Sequence, residues 1–372
     1  MSKQYLQTHT NPTAHPTDIF ALATTPSHLL SASGSSSILI HRTTNPPTTD
    51  PSDPSEDNPY PLIQTLHNAH PLGCHHLATS LDGSIAASAG FGGEVKLWRC
   101  DAEGTWSHSH NLAQAASNKT SPAPWALALS PTGDLLACTT HSGHINLYPT
   151  TTTTAETPQT PTTSFETQGS LGLSVDISPD GALTASGHAN GSVYIFNNRT
   201  QTLAHSLSSL LKPVRTVRFS PGGTLLAAAG DAGIIALYSV TSGQQVASLA
   251  PPAAGAIAGR EKKTTGAAGG WVMSVDYSAS GEWLVSGAFD GKVRVWGVGS
   301  GQCVAVLAGP EEECVWGVKW AGGTPGQKGG EVFITGGRGG LGFYREAGPL
   351  AVIREREGER ERERERERER GN

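Results

Sequence analysis

The stretch AFDGKVRVW, residues 288–296, sets an Asp-Gly pair ahead of a strand in which valines alternate with cations. Its second half, KVRVW, recurs as SILIH (37–41), EVKLW (94–98), HINLY (144–148), SVYIF (192–196), IIALY (234–238) and GLGFY (340–344), seven copies in all. Every copy is apolar at its second and fourth residues, and six of the seven end in an aromatic. Glycine precedes six of them, at 93, 143, 191, 233, 291 and 339, where it supplies the positive φ of a tight hairpin turn. Period-two alternation behind such a turn signals a strand. Seven strands of one design in 372 residues call for a fold built by repetition.

Each copy sits inside a longer unit. Upstream lies a segment ending in a turn, clearest in VDISPDG, VRFSPGG, VDYSASG, LALSPTG and LATSLDG. Between the two runs a strand of small residues, as in LTASG, LLAAAG and LVSGA, with Ser31, Ser88, Ser186 and Ser286 at matching offsets. A fourth strand comes from LIQTLHNAH, TLAHSLSSL and QCVAVLAG. The apolar anchor of the first strand falls at Leu22, Leu77, Leu127, Val175, Val217, Val275 and Val318, 42 to 58 residues apart. Without low-complexity insertions this approaches the roughly 40 to 45 residues of a propeller blade. One blade cannot bury both faces, so blades stack around an axis and are stable once the ring is closed. The last unit, ending GFYREAG, has three strands, and the chain begins with an unassigned one, YLQTH. The expected fold is therefore all-β: a seven-bladed β-propeller over residues 1–348, closed by the N-terminal strand.

Forty-five glycines and 24 prolines suit short strands joined by tight turns. Three segments rich in Pro, Thr, Gly and charge, about 44–61, 149–164 and 251–270, read as disordered insertions. The first two join the third strand of a blade to its fourth, and the last precedes the first strand of blade six. Residues 349–372 form a low-complexity tail with eight Arg and eight Glu between 354 and 370, expected to be solvated and disordered because its charges cancel. A net charge of −6 gives no broad electrostatic reason to bind nucleic acid or anionic lipid. No run of about 18 apolar residues suggests a membrane span. Five cysteines without a C-x-x-C pair fit a reducing compartment, so a cytoplasmic or nuclear protein is expected.

The chemistry-bearing residue types have structural readings. Ser286, Asp290 and several histidines match a Ser-His-Asp set in type, but they recur blade by blade and no G-x-S-x-G elbow is present. A hydrogen-bond network within each blade is expected instead. LHNAHPLGCHH carries His67, His70, Cys74, His75 and His76 without the paired spacing of structural zinc sites. GGRGGLGF is followed by a strand rather than a helix, so it is a blade turn and not a phosphate loop. No catalytic, cofactor or metal site is expected.

A partner surface is. Two residues before each anchor stand Phe20, His75, Trp125, Leu173, Arg215, Met273 and Trp316; four before stands Trp271 in blade six, and Phe91 and Phe289 precede blade turns. These positions project onto one rim. Trp271, Met273, Phe289, Trp316 and Phe20 fall on blades six, seven and one, and an apolar sector of this kind marks an interface.

AHPTDIFAL, GLSVDISPDGALTASGHANGSVYIFN, PVRTVRFSPGGTLLAAAGD, WVMSVDYSASGEWLVSGAFDGKVRVW and FYREAG resemble the fungal WD-repeat subunit of the superkiller (Ski) complex, over about residues 14–348. The chain departs from the pattern in having no Trp-Asp dipeptide: Trp98 is followed by Arg and Trp296 by Gly, and Asp290 is the one turn aspartate kept. The resemblance implies a non-catalytic adaptor that assembles with a tetratricopeptide scaffold and a DExH-box RNA helicase, in a complex that feeds messenger RNA to the cytoplasmic exosome for 3′-to-5′ decay. In fungal members it also implies binding of the topoisomerase-like protein of meiotic double-strand breaks. The family's docking site maps onto Phe20, Trp125, Trp271, Met273, Phe289 and Trp316. The rival readings are a WD-repeat adaptor of a chromatin or ubiquitin-ligase assembly, and a propeller enzyme, which would need carboxylates or histidines around the channel.

Overall fold

The computed structural model describes residues 4–43, 59–113, 123–151, 160–208, 210–251, 270–309, 313–321 and 332–347. These form seven four-stranded antiparallel sheets. Blade 1 comprises β2 (Ile19–Thr24), β3 (His28–Ser33), β4 (Ile38–Arg42) and β5 (Leu62–Leu66), and blade 2 comprises β6 (Cys74–Thr79), β7 (Ile85–Gly90), β8 (Val95–Cys100) and β9 (Trp106–Ala113). Blade 3 holds β10 (Pro124–Leu129), β11 (Leu135–Thr140), β12 (Ile145–Pro149) and β13 (Thr163–Phe165); blade 4 holds β14 (Gly172–Ile177), β15 (Leu183–His188), β16 (Val193–Asn197) and β17 (Thr202–Leu207). Blade 5 is β18 (Val214–Phe219), β19 (Leu225–Gly230), β20 (Ile235–Ser239) and β21 (Gln245–Leu249), and blade 6 is β22 (Val272–Tyr277), β23 (Trp283–Ala288), β24 (Lys292–Gly297) and β25 (Cys303–Ala308).

Blade 7 is assembled from both ends of the chain. β26 (Gly317–Ala321), β27 (Val332–Gly336) and β28 (Leu341–Glu346) are completed by β1 (Tyr5–Asn11), which pairs antiparallel with β28 from Tyr5↔Glu346 to Asn11↔Leu341. Tyr5 anchors this strand with ring contacts to Phe333 at 5.4 Å and Trp320 at 6.5 Å. Tyr60 adds a stack on Phe343 of β28 at 3.8 Å. The closing strand proposed from YLQTH is thus the one observed.

The core lies between blades rather than within them: seven apolar clusters each draw residues from two neighbouring blades. Second strands are buried on both faces, as in β3 and β7, which explains their Ala, Ser and Gly. A Cβ on Gly187 would lie 2.5 Å from Val214 of the next blade, and one on Gly287 2.6 Å from Val315, closer than packed atoms come. Small residues are what allow the blades to stack.

The insertions fall where strand order placed them, between β4 and β5, β12 and β13, and β21 and β22. Their bounds are narrower than the sequence suggested. Pro149 ends β12, Thr163 opens β13, and Tyr60 is packed in the seam between blades 7 and 1. The central parts of the three insertions and the tail from 348 onward lie outside the described residues.

Candidate partner-binding site

The innermost strands β2, β6, β10, β14, β18, β22 and β26 line a central channel, and their pairing explains where the residues two before each anchor go. In β2–β3 the partners run Ile19↔Ser33 and then Ala21↔Ala32, leaving Phe20 unpaired. The same shift leaves out His75, Leu173, Arg215 and Met273, and Trp125 together with Ala126. A β-bulge turns one side chain out of the sheet's alternation. Here, six times over, it turns the side chain into the channel mouth. Trp316 reaches the same place from just before β26, its N–H donating to Gly336 O at 3.0 Å.

All seven of these side chains line one mouth cavity of about 350 Å³. One arc of its wall is aromatic. Trp316 packs edge-on to Phe20 at 5.2 Å, Phe20 to Phe91 at 5.5 Å, Phe91 to His75 at 4.7 Å, and His75 stacks on Trp125 at 4.4 Å. Trp316 Nε1 also donates to Asp18 at 3.2 Å, which fixes the indole. Burial, with His76 beside it, pushes His75 down to about 2, so this ring is neutral and serves the arc as an aromatic surface. The opposite arc carries Leu173, Arg215 and Met273.

Trp271 and Phe289 stand outside the mouth, 44% and 52% exposed, with ring centroids 5.3 Å apart. Their link to the cavity is Arg215, whose guanidinium lies 4.9 Å above Trp271 and pairs with Asp231. The sequence grouped Trp271, Met273, Phe289, Trp316 and Phe20 as one sector on blades six, seven and one. The structure divides them: the continuous arc runs through blades 7, 1, 2 and 3, and Trp271 with Phe289 forms a separate pair. The reason is local, since Trp271 lies ahead of the bulge that turns Met273 inward. Sequence reasoning named Phe91 and His75 as rim positions without selecting them, although both join the arc.

One position past each anchor, the channel changes character around the ring: Ala23, Ala78 and Ala128 in blades 1 to 3, then Asp176, Arg218, Asp276 and Lys319 in blades 4 to 7. Arg218 donates from Nη1 to Asp176 at 3.1 Å and from Nε to Asp276 at 2.8 Å, and Lys319 Nζ reaches Asp276 at 3.4 Å. Asp176 and Asp276 also accept the backbone N–H groups of Phe219 and Trp320, at 2.8 and 2.9 Å. A charged belt thus ties four blades. On the other side hydroxyls do so: Thr24 donates to Trp320 O at 3.2 Å and Thr79 to Thr24 O at 2.8 Å. The sequence reading missed this belt, although seven aligned anchors display it.

The residues weighed for catalysis and zinc serve the blades. In blade 2, Trp98 Nε1 donates to Ser88 at 2.8 Å, Ser88 meets His70 Nε2 at 2.7 Å, and His70 Nδ1 lies 3.0 Å from Glu94; Glu94 takes the place expected of a turn aspartate. In blade 6 Trp296 donates to Ser286 at 2.9 Å, while Asp290 pairs with Arg294 at 2.6 Å. Cys74 and His76 share strand β6, Cys74 Sγ donating to His76 O at 3.3 Å. Among the described residues no three His, Cys, Asp or Glu side chains converge to hold a metal ion.

Comparison with known proteins agrees with this geometry. The family model described as WD domain, G-beta repeat matches residues 160–197, 199–239 and 259–297; the first two spans each take the fourth strand of one blade and the first three of the next, and the third includes the first three strands of blade 6. Meiotic recombination protein rec14 of Schizosaccharomyces pombe is 35% identical over 249 residues, 66% of this chain and 74% of the relative. Antiviral protein SKI8 of Saccharomyces cerevisiae is 28% identical over 352 residues, 82% of this chain and 83% of that protein. WD repeat-containing protein VIP3 of Arabidopsis thaliana is 29% identical over 168 residues, 43% of this chain and 50% of VIP3.

Proposed function

The chain belongs to the WD-repeat family that includes rec14 and SKI8, and from that premise we propose that it is a non-catalytic adaptor subunit of a Ski complex. Its partners are a tetratricopeptide scaffold subunit and a DExH-box RNA helicase, and the assembly supports exosome-dependent 3′-to-5′ decay of cytoplasmic messenger RNA. A second engagement, in the nucleus, is with the topoisomerase-like protein of meiotic double-strand breaks. The propeller contributes a docking mouth and its partners contribute the chemistry.

The observation that carries this reading is the convergence of seven side chains, six of them at bulge positions, on one cavity, with Trp316, Phe20 and Trp125 on a continuous arc. Trp and Phe concentrate at interface anchors, and 350 Å³ suits side chains of an extended segment rather than a folded domain. Phe20, Trp125, Met273 and Trp316 are the mouth contacts in this proposal, and Trp271 with Phe289 is a second contact on the rim.

Purification of the tagged protein from its own cells tests the assignment. Recovery of the scaffold and the helicase, lost on Trp125→Ala with Trp316→Ala, is the expected result. Their absence, with chromatin or ubiquitin-ligase subunits in their place, overturns it.

A further inference from the structure

The outer edge of blade 6 differs from those of the other blades. Each sheet ends in an outermost strand with one side unpaired, and among the described residues every such strand except β25 carries polar side chains, such as His205 in β17 or Gln245 in β21. β25 reads CVAVLA, six apolar residues of which none is buried, with Val306 40% exposed. Natural edge strands are ordinarily guarded against pairing by lysine, proline or short length. β25 contains no Lys or Pro and runs for six residues.

The direction of its backbone groups follows from the register. β25 pairs antiparallel with β24 from Lys292↔Ala308 to Val295↔Ala305, and one step beyond, Gly309 N–H donates to Gly291 O at 2.8 Å. Hydrogen-bonded pairs alternate along an antiparallel ladder, so Ala305 and Leu307 turn their N–H and C=O groups to β24, and Val306 and Ala308 turn theirs outward. The Ala308 carbonyl is taken there by the Tyr344 hydroxyl of β28, at 2.9 Å. Val306 N–H, Val306 C=O and Ala308 N–H have no partner among the described residues. Blade 2 manages its edge otherwise: the Gln64 side chain accepts from Trp106 N–H at 2.8 Å and donates to Trp106 O at 2.7 Å, which caps outward groups of β9.

We propose that the β25 edge is a self-association surface, which pairs with the β25 edge of a second copy of this chain. A free donor and a free acceptor on one edge residue recognise an extended strand, and the uncharged apolar side chains beside them call for a strand of the same kind. β25 itself meets both conditions. In an antiparallel pair centred on Val306, the two Val306 residues exchange both N–H···O bonds, and each Ala308 N–H is presented to the opposite strand. No charge stands on either strand, so no like charges meet across the two-fold axis. β25 lies at the far end of a sheet that begins with the channel-lining β22. Both mouths therefore stay open, and the pair joins two docking sites in one assembly.

Sedimentation equilibrium of the purified full-length chain over a dilution series is the test. The expected result is a concentration-dependent equilibrium between monomer and dimer. Val306→Pro removes an outward N–H that the ladder of the blade does not use. It is expected to weaken dimerisation more than about tenfold, the worth of the two bonds exchanged between the Val306 residues, with an unchanged melting curve. Should Val306→Pro fail to fold, Val306→Lys takes its place with the same expectation, since it sets two like charges face to face. Val246→Lys, at a valine still more exposed on the outer strand of blade 5, leaves the dimer intact. A monomer at every concentration, whether the edge is solvated or covered by another segment of this chain, overturns the proposal. So does a dimer that the Val306 variants leave at full strength, or one that Val246→Lys weakens equally.

Discussion

Two arcs of one ring, built on the same strand register, hold together in different ways. Blades 1 to 3 place alanine after the anchor and carry Phe20, His75 and Trp125 at the mouth; blades 4 to 7 place Asp176, Arg218, Asp276 and Lys319 after the anchor. Scaffold positions are alike in both arcs: an apolar anchor, a small-residue second strand and a glycine turn. The difference teaches that a propeller fixes its fold at a few positions and leaves the flanking ones free. One flank then joins blades inside the channel and the other lines its mouth.

The strongest way to break the comparison is to remove the element that both arcs depend on. Without β1, the apolar seam between blades 6 and 7 loses Tyr5 and the edge of β28 is bare. Deleting residues 1–11 is expected to abolish cooperative unfolding, read by calorimetry; a sharp transition at the wild-type temperature would show that closure does not need this strand.

Next comes the charged arc. Arg218→Ala leaves Asp176 and Asp276 without their shared partner and is expected to cost about 3–5 kcal/mol in denaturant unfolding, as breaking an enclosed ion pair does. Ala128→Ser, at the same register in the other arc, is expected to cost less than about 1 kcal/mol. Equal costs would erase the distinction.

Acid sharpens it. Burial pushes His15, His41 and His76 down to about 4 and His75 to about 2, and all four belong to blades 1 and 2 or their approach. Their native affinity for protons is below that of the unfolded chain, so their contribution is complete above pH ~6.5 and is lost as pH falls toward ~4. In the charged arc, Lys319 and Arg218 hold Asp276 below its usual range against the opposing effect of burial, a contribution lost only at still lower pH; Asp176 is raised by burial and offsets part of it. Melting temperature is expected to drop between pH 6.5 and 4.5, with amide exchange accelerating first in blades 1 and 2. A flat profile over that range would contradict the assignment.

The smallest effects are on binding. Trp125→Ala and Trp316→Ala are each expected to weaken partner binding by about 2 kcal/mol, and Trp271→Ala or Phe289→Ala, on the exposed pair, by about 1 kcal/mol. Melting temperatures should move little. Unfolding in any of these variants would mark that residue as core.

Blade count, strand order and closure were legible because each leaves a periodic trace: the turn glycines, the Ser31, Ser88, Ser186 and Ser286 register, and the unpaired YLQTH. The mouth residues were legible by offset from the anchors. What composition and spacing did not convey is direction. A bulge at Met273 turns that side chain inward and leaves Trp271, two residues earlier, on the outside, and no residue type announces it. Glu94 was missed because the blade 2 network needs an acid within reach of His70, not an aspartate at one fixed position.

The central claim is that the channel mouth, and not the outer edges of the blades, holds the partner. Titrating the purified tetratricopeptide scaffold subunit into the full-length chain and into its Trp125→Ala, Trp316→Ala double variant by calorimetry tests this directly. The account predicts at least a hundredfold loss of affinity with an unchanged melting temperature. Undiminished binding by the double variant would contradict it.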